Sequence, residues 1–223
     1  MSRCVIVSGA PIGDYQRIRG YLRKDDFFVF CDGGLRHRVE LQVEPDLVVG
    51  DFDSHEKPET SAEIIALPRE KDDTDTVFAV REAVRRGFND FLLVGAAGGR
   101  VDHTIGNLSL LLWLDRQGKT ALLADDWSDM RIISREKTLI PDNVAYFSLL
   151  NTCGTARGID ITGAKYLLAN GEINCDWQYG ISNEVLPGQT ATVSVQDGSL
   201  LLVQIYRDPQ VEETRQKQQG TPV

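Results

Sequence analysis

Up to about residue 125, short apolar runs alternate with longer amphipathic stretches, and this alternation restricts the fold more than any other feature. The short runs are rich in β-branched and aromatic residues, which favour strands. Between them, apolar residues recur with the period of a helix. Strands that alternate with helices form a parallel sheet joined by crossover helices. We therefore predict an α/β class protein whose N-terminal α/β/α domain covers residues 1–135, with strands at 4–7, 27–30, 47–49, 64–67, 91–94 and 120–123 and helices at 14–24, 34–40, 75–86 and 103–116.

After about residue 135 the helical period disappears. Strand-like runs separated by Gly, Asn and Pro continue to residue 206. They predict a smaller all-β domain, a sandwich or barrel, over residues 136–207, with strands at 145–150, 159–162, 165–168, 190–195 and 200–205. The last segment, 208–223, is polar and rich in Gln, which predicts a disordered tail.

The net charge and the cysteines indicate which classes of binding partner are disfavoured and which cellular compartment is expected. The 223 residues carry 24 Lys and Arg against 33 Asp and Glu, a net charge of −9, which argues against nucleic acid or an anionic membrane as the main partner. Cys4, Cys31, Cys153 and Cys175 form no CxxC pair and lie mostly in apolar stretches, so we expect reduced core thiols. The first apolar run is too short for a signal peptide, and no run has bilayer length, so we expect a cytoplasmic protein.

Carboxylates and glycines follow four of the predicted strands. In an open α/β sheet, ligands bind outside the carboxyl ends of the strands. The residues that follow these strands should therefore meet at one edge of the sheet. The four loops are Cys31-Asp32-Gly33-Gly34, Gly50-Asp51-Phe52-Asp53-Ser54, Lys71-Asp72-Asp73-Thr74-Asp75 and Gly95-Ala96-Ala97-Gly98-Gly99-Arg100-Val101-Asp102-His103.

The second and third loops have the donors for a hard cation. Asp51 and Asp53 are two residues apart, so in an extended segment both side chains point to the same side and can share one Mg²⁺. Asp75 begins a predicted helix and is a plausible third metal-facing acid. Two alternatives need no ligand: an Asp-rich turn capped by Ser54, and a helix merely capped by Asp73 or Thr74.

The glycine-rich fourth loop predicts a phosphate site. Glycines allow the backbone to approach an anion, and Arg100 can bind a phosphate through two parallel hydrogen bonds. The loop matches neither GxGxxG nor the P-loop pattern, and a tight turn is the alternative. Lys71 could pair with a phosphate or be simply solvated.

Taken in order, these motifs resemble the thiamine pyrophosphokinase family. The resemblance rests on Asp32-Gly33-Gly34, Pro45-Asp46, Gly50-Asp51-Phe52-Asp53-Ser54, Lys71-Asp72-Asp73-Thr74-Asp75, and Gly98-Gly99-Arg100-Val101-Asp102-His103 with Asn107. In the second half, Gly163-Ala164-Lys165-Tyr166-Leu167-Leu168 and Gly180-Ile181-Ser182-Asn183-Glu184 resemble that family's thiamine-binding β-domain. The resemblance implies a Rossmann-like catalytic domain that binds ATP, followed by a thiamine-binding sandwich.

The same resemblance implies the reaction and the site residues. Pyrophosphate passes from ATP to the hydroxyl of thiamine, giving thiamine diphosphate and AMP, with Mg²⁺ required, in a homodimer whose two subunits share each thiamine site. Asp51, Asp53 and Asp75 would surround the metal, and Arg100 and Lys71 would hold phosphates. The nucleotide and hydroxyl pocket would be formed by Asp32, Gly33, Gly34, Asp46, Asp72, Thr74, Gly98, Gly99, Asp102, His103 and Asn107.

Thiamine has a cationic thiazolium and a flat pyrimidine, which suit an acidic pocket with aromatic faces. The candidates are Trp177, Tyr179, Ser182 and Asn183, although an aromatic side chain in a small β-domain more often fills the core. We expect in-line attack on the β-phosphorus, because phosphoryl-type transfer needs positioning and charge neutralisation rather than a covalent nucleophile. A Mg²⁺-dependent nucleotide phosphohydrolase and a non-catalytic nucleotide or thiamine sensor are the alternative functions.

Overall fold

The computed structural model describes residues 2–52, 61–70 and 72–206. The chain divides into two compact units between Asp126 and Trp127, earlier than the predicted boundary after residue 135. Asp53, Lys71 and the predicted tail at 208–223 lie outside the described residues. Across the described ranges, no helix combines the length and the apolar character needed to cross a lipid bilayer.

The first unit is built on a parallel sheet. Its strands lie in the order β6-β5-β1-β2-β3-β4, all paired in parallel. Each strand predicted for this half of the chain is present, with its ends shifted by a residue or so. The strands are β1 (Cys4–Val7), β2 (Phe27–Cys31), β3 (Leu47–Gly50), β4 (Glu63–Ala66), β5 (Asp90–Val94) and β6 (Thr120–Ala124).

The helices of this unit are α1 (Tyr15–Arg19), α2 (Arg38–Leu41), α3 (Asp75–Arg85) and α4 (Val101–Arg116). The helix predicted over 75–86 is confirmed as α3, which buries Ala79, Val80 and Ala83. The helix predicted over 14–24 is wrong in length, because α1 ends at Arg19. The helix predicted over 34–40 is replaced by a 3₁₀ helix, Asp32–His37, that continues into α2.

The core of the first unit explains why its strands read as continuous apolar runs. All four residues of β1 are fully buried, as expected for a parallel sheet covered on both faces. One apolar cluster joins strand side chains to Ile18 of α1 and Leu41 of α2. At the edge of this core, Arg3 and Asp26 form a buried ion pair with nitrogen–oxygen distances of 3.0 and 2.7 Å. The pair ties the turn after α1 to the residue before β1.

The second unit is a sandwich of two antiparallel sheets. One sheet has the order β12-β9-β14-β7 and the other has the order β11-β10-β13-β8. A single apolar cluster takes side chains from both, including Phe147 and Leu149 from one sheet and Ile159 and Ile173 from the other. The strands are β7 (Ser128–Ile133), β8 (Thr138–Pro141), β9 (Val144–Leu150), β10 (Thr155–Thr162), β11 (Leu168–Asn174), β12 (Gly180–Asn183), β13 (Thr190–Ser194) and β14 (Leu200–Tyr206).

Several strands of the second unit differ from the prediction. The strand expected at 165–168 is wrong: these residues form a loop that ends where β11 begins. Strands β7, β8 and β12 were not predicted, and β11 shares only Leu168 with a predicted strand. Strand β7 contains the polar Asp129, which is buried because its carboxylate accepts a hydrogen bond of 2.9 Å from the hydroxyl of Tyr206 on the paired strand. A polar segment of this kind has no strong strand signal of its own, and it forms a strand here through its pairing with β14.

The four cysteines divide between the two units. Cys4 and Cys31 are buried in the first unit, and burial raises the pKa of each thiol to about 12. Cys153 and Cys175 of the second unit are exposed, so the expectation of core thiols is wrong for them. No disulfide joins the four.

The carboxylate of Glu82 on α3 holds two arginines and should stabilise the fold above acidic pH. Hydrogen bonds from Arg85 and then Arg86 lower the pKa of Glu82 from 4.5 to about 2. A carboxylate with a depressed folded-state pKa contributes stability above its unfolded pKa and loses it as the pH falls. We expect Glu82→Gln to lower the free energy of unfolding by about 2 kcal/mol at pH 7, since exposure of Arg85 screens part of the interaction. Urea denaturation should show this difference shrinking between pH 4.5 and pH 2.

Glu44→Gln is the matched control, because Glu44 makes a solvent-exposed ion pair with Arg38. An exposed pair contributes about 0–1 kcal/mol. Two results would contradict a stabilising role of the Glu82 carboxylate. One is an equal loss of unfolding free energy in Glu82→Gln and Glu44→Gln, and the other is a loss in Glu82→Gln that does not change with pH.

Candidate active site

A cavity of about 350 Å³ opens at the carboxyl ends of β1, β2 and β5. Its volume lies within the range of small-molecule binding sites. The loops after these three strands form its walls together with the first residues of α3 and α4. The lining residues are Ser8, Gly9, Ala10, Pro11, Cys31, Gly33, Thr74, Asp75, Thr76, Gly95, Ala96, Gly98, Gly99, Arg100, His103 and Asn107.

Glycines allow the loops around this cavity to cross at close range. A Cβ at Gly34 would lie 2.1 Å from the carbonyl oxygen of Val7, so no side chain fits there. Gly95 has φ +59°, and a Cβ on it would lie 2.5 Å from the carbonyl oxygen of Ser8. Gly33 lines the cavity, whereas Gly34 is buried behind it. Gly34 therefore permits the packing of the site and is not among the residues that line it.

The N-terminus of α3 faces the cavity through Thr74 and Asp75. The hydroxyl of Thr74 accepts a hydrogen bond of 3.3 Å from the backbone N–H of Val77, so the predicted capping role is confirmed. Asp73 instead pairs with Arg81. Asp75 is the first residue of the helix, and one of its carboxylate oxygens is buried. A helix N-terminus favours negative charge, whether it belongs to Asp75 or to a phosphate.

Asp32 and Asp51 follow neighbouring strands. Asp32 comes directly after β2, and one of its carboxylate oxygens is buried. Asp51 comes directly after β3, and the preceding Gly50 packs against Asp32 so closely that an added Cβ would lie 2.5 Å from the Asp32 Cβ. The charges of Asp75 and Asp32 both raise the pKa of the Cys31 thiol, so both carboxylates lie near it.

These aspartates suit Mg²⁺ by their chemistry. Mg²⁺ takes oxygen ligands and is usually held by one or two carboxylates together with water and substrate phosphates. Asp75, which lines the cavity, and Asp32, which follows β2, each have a buried carboxylate oxygen of this kind. Within residues 2–52, 61–70 and 72–206, no three acidic, His or Cys side chains form a metal-binding group. Asp53, one of the three predicted metal ligands, lies outside the described residues, so a partial set of carboxylates is what the described chain offers.

The first turn of α4 presents Arg100 and His103 to the cavity. The Arg100 guanidinium forms two parallel hydrogen bonds with the carboxylate of Asp102, and both side chains are solvent-exposed. These bonds lower the pKa of Asp102. Asn107, one turn further, is buried and donates a hydrogen bond of 2.7 Å to the carbonyl oxygen of Ala96. Asn107 therefore holds the glycine-rich loop in place.

Gly98 and Gly99 line the cavity in left-handed conformations, with φ +93° and +66°. The backbone N–H of Gly98 donates a hydrogen bond of 3.1 Å to the hydroxyl of Thr104. Gly99 packs against Pro11 of the loop after β1. The fourth loop therefore forms a curved backbone wall of the kind expected of a phosphate site.

Of the predicted pocket residues within the described ranges, five do not line the cavity: Asp32, Gly34, Asp46, Asp72 and Asp102; the predicted metal ligand Asp51 does not line it either. Asp46 precedes β3 at the amino end of the strands, and its carboxylate accepts a hydrogen bond of 2.8 Å from the backbone N–H of Phe28. It connects β2 to β3 at the opposite edge of the sheet from the cavity. Asp72 is exposed and lies outside the lining residues.

Six residues that line the cavity were not among the predicted site residues. Four of them, Ser8, Gly9, Ala10 and Pro11, follow β1, and the other two are Cys31 at the end of β2 and Thr76 in α3. The signal for the first four was available, because they follow a predicted strand at the same edge of the sheet. These four residues carry no charge, so their side-chain chemistry did not indicate a catalytic role.

In the second unit, two of the four predicted thiamine residues line a smaller apolar cavity of about 100 Å³. Tyr179 and Asn183 line it, together with Tyr166, Leu167 and Ile181. Asn183 is buried, and its side-chain amide accepts from the N–H and donates to the carbonyl of Tyr166 at 3.0 and 2.7 Å. Asn183 therefore positions the loop that carries Tyr166.

The other two thiamine candidates do not line this cavity. Trp177 and Ser182 are exposed, and the backbone N–H of Ser182 donates to the hydroxyl of Ser148. Trp177 is 71% exposed and Tyr179 is 48% exposed, so neither aromatic side chain fills the core. Both remain available at the surface.

Comparisons with known proteins give consistent matches. Residues 18–123 match the family model "Thiamin pyrophosphokinase, catalytic domain", and residues 133–200 match "Thiamin pyrophosphokinase, vitamin B1 binding domain". The chain is 27% identical to thiamine pyrophosphokinase of Bacillus subtilis over 206 residues, which cover 89% of this chain and 96% of that protein.

Two crystal structures have the same fold. Thiamine pyrophosphokinase from Bacillus subtilis superposes with a TM-score of 0.81 at 25% identity, over 93% of this chain and all of the other. Thiamin pyrophosphokinase from Geobacillus thermodenitrificans superposes with a TM-score of 0.78 at 27% identity, over 93% and 98% of the two chains.

Proposed function

The chain belongs to the thiamin pyrophosphokinase family and is an enzyme that forms thiamine diphosphate by pyrophosphate transfer, and from this premise we propose how its residues perform the reaction. ATP is the donor, the hydroxyl of thiamine attacks the β-phosphorus in line, and AMP leaves. The observation that supports this proposal is the cavity at the strand ends, where Asp75, Arg100 and the glycine-rich loop face one space.

The cavity residues hold the triphosphate. The N-terminus of α3 directs backbone N–H groups towards an anion. Arg100 already binds a carboxylate through two parallel hydrogen bonds, and a phosphate accepts the same arrangement. Binding of ATP therefore exchanges the Asp102 carboxylate for a phosphate on Arg100. Gly98 and Gly99 allow the backbone to approach the phosphate without a steric clash.

Asp51, Asp53 and Asp75 would hold Mg²⁺. When bound, the ion supplies neutralisation of the charge on the transferred group. In the transfer step, the bond from the thiamine oxygen to the β-phosphorus forms, and the bond from that phosphorus to the oxygen bridging the α-phosphate breaks. The hydroxyl proton passes to one of the aspartates that follow the strands at this edge of the sheet, and the electron pair of the broken bond stays on AMP.

Thiamine is proposed to bind at the exposed aromatic residues of the second unit. The face of Trp177 or Tyr179 attracts a cationic thiazolium. The cavity beside Tyr179 has a volume of only about 100 Å³, below the range of a complete small-molecule site, which supports a site completed by a second subunit in a homodimer. Light scattering during size exclusion tests the dimer, and a monomer at micromolar concentration would refute it.

The proposed compartment is the cytoplasm, which supplies ATP and a reducing environment. Cys153 and Cys175 are exposed thiols, which an oxidising compartment would not preserve.

The experiment that tests the function is product analysis by mass spectrometry after the protein is mixed with MgATP and thiamine. Thiamine diphosphate and AMP in equal amounts are expected, with neither formed when the metal or thiamine is left out. Thiamine monophosphate with ADP would overturn attack on the β-phosphorus. Phosphate release without thiamine would indicate a phosphohydrolase, and tight binding without any product would indicate a sensor.

A further inference from the structure

Two buried hydroxyl side chains, those of Ser8 and Thr76, line the cavity at the carboxyl ends of the strands. Ser8 follows β1 and is 3% exposed, and Thr76 lies in the first turn of α3 and is 7% exposed. Their hydroxyl oxygens are 2.9 Å apart, and both residues line the cavity. They belong to two different elements, so the sheet and the helix together fix the pair.

The thiol of Cys31 completes the cluster. It donates to the hydroxyl oxygen of Thr76, with a sulfur–oxygen distance of 3.8 Å. Burial raises the pKa of this thiol to about 12, so it stays protonated and acts as a donor at neutral pH. Thr76 therefore accepts one hydrogen bond from Cys31 and shares another with Ser8.

Counting hydrogens shows that this cluster has a donor to spare. Whichever hydroxyl donates to the other, one of the two hydroxyl hydrogens is left over. The sulfur of Cys31 lies within hydrogen-bonding reach of Ser8 and can accept this hydrogen. Sulfur is a weak acceptor. An anionic oxygen that enters the cavity is a much stronger one.

We infer that the Ser8–Thr76 hydroxyl pair is a phosphate-binding element of the cavity and donates its surplus hydrogen to a phosphate oxygen of ATP. The inference rests on the proposed function only for the identity of the anion. The pair adds a neutral donor that is preorganised by burial beside the N-terminus of α3. Its two members can replace each other as the donor, because either hydroxyl alone still has a hydrogen to give.

This redundancy gives a distinctive pattern in a mutant cycle. Ser8→Ala leaves the hydroxyl hydrogen of Thr76, and Thr76→Val leaves that of Ser8, so each single change should raise the Kd for ATP less than about fivefold. The double change removes both hydroxyls. A hydrogen bond to a charged group is worth about 1.5–3 kcal/mol, which corresponds to a Kd raised about 10- to 100-fold. The double variant should therefore lose much more binding free energy for ATP than the two single variants lose when their losses are added.

The measurement is isothermal titration of the full-length protein with MgATP in the absence of thiamine, so that no turnover occurs. Adenosine, which has no phosphate, serves as a second ligand in competition with ATP, and its affinity should stay unchanged in the double variant. Ser109→Ala is the matched control, because Ser109 is exposed on α4 and its hydroxyl donates only to the carbonyl of Ile105 in the same helix. Thr76→Ser should retain the wild-type affinity.

A folded double variant that binds ATP within about threefold of wild type would overturn the inference. So would an equal loss of ATP and adenosine affinity, since it would place the pair at the nucleoside or in the fold alone. If the double variant does not fold, Ser8→Ala with Thr76→Ala also removes both hydroxyls, adds no second methyl group to the cluster, and should give the same loss of ATP affinity. The product analysis described above is independent of these titrations, so a failure of the proposed reaction and a failure of this inference are distinguishable.

Discussion

Replacing Asp75 by asparagine should lower kcat/KM for thiamine diphosphate formation by at least about 1,000-fold and leave the fold intact. Asp75 lines the cavity at the first position of α3, where it is proposed as a metal ligand. Asparagine has nearly the same shape but no charge, so it holds Mg²⁺ far less well. A loss of this size corresponds to about 4 kcal/mol of transition-state stabilisation. Steady-state assay of AMP formation over a range of Mg²⁺ concentrations measures it.

Asp73→Asn is the control for this prediction. It makes the same chemical change two residues earlier, at a side chain that pairs with Arg81 and does not line the cavity. Its activity should stay within about threefold of wild type, because an exposed ion pair contributes little. Thermal unfolding should give similar midpoints for both variants. Unchanged turnover in Asp75→Asn would refute the metal assignment.

Gly34→Ala should destabilise the first unit by more than about 3 kcal/mol or prevent it from folding. The added Cβ would lie 2.1 Å from the carbonyl oxygen of Val7 and 2.8 Å from its carbonyl carbon. Both atoms belong to the backbone of the fully buried strand β1, so they cannot move aside cheaply. Overpacking of a well-packed core typically costs about 1–3 kcal/mol, and a clash with backbone lies at or beyond the upper end of that range. Urea denaturation measures the change.

Gly106→Ala is the matched control, because a Cβ at Gly106 has no atom within 4 Å and the residue lies inside α4. Alanine replaces glycine in a helix interior with a gain of about 0.5–1 kcal/mol. The two variants should therefore shift the midpoint in opposite directions. A Gly34→Ala protein as stable as wild type would show that the loops around the cavity can separate.

Much of the first unit could be predicted because local and tertiary signals agree there. A run such as Cys4–Val7 is apolar throughout since both faces of a parallel sheet are covered, and the amphipathic period of α3 matches the face it buries. The acidic and glycine-rich loops were predicted to meet because parallel strands end at one edge of the sheet. The cavity at the ends of β1, β2 and β5 has this position.

What the sequence did not reveal depends on partners distant in the chain. Strand β7 is polar, and it becomes a strand through its pairing with β14, including the bond from Tyr206 to Asp129. Asp46 has the chemistry of a site residue, yet its partner is the N–H of Phe28 at the other edge of the sheet. Ser8 and Thr76 are 68 residues apart, so no local pattern signals that their hydroxyls meet.

The distribution of the cysteines makes the second unit selectively labelable without any substitution. A maleimide fluorophore reacts with the thiolate of an accessible cysteine, so Cys153 and Cys175 should be labelled. Cys4 and Cys31 should remain unlabelled, because they are buried and their thiol pKa values are about 12. Cys175 lies two residues from Trp177, which places a reporter beside the proposed thiamine surface. Fluorescence titration can then follow the binding of thiamine separately from the binding of ATP, in the chain with its native set of cysteines.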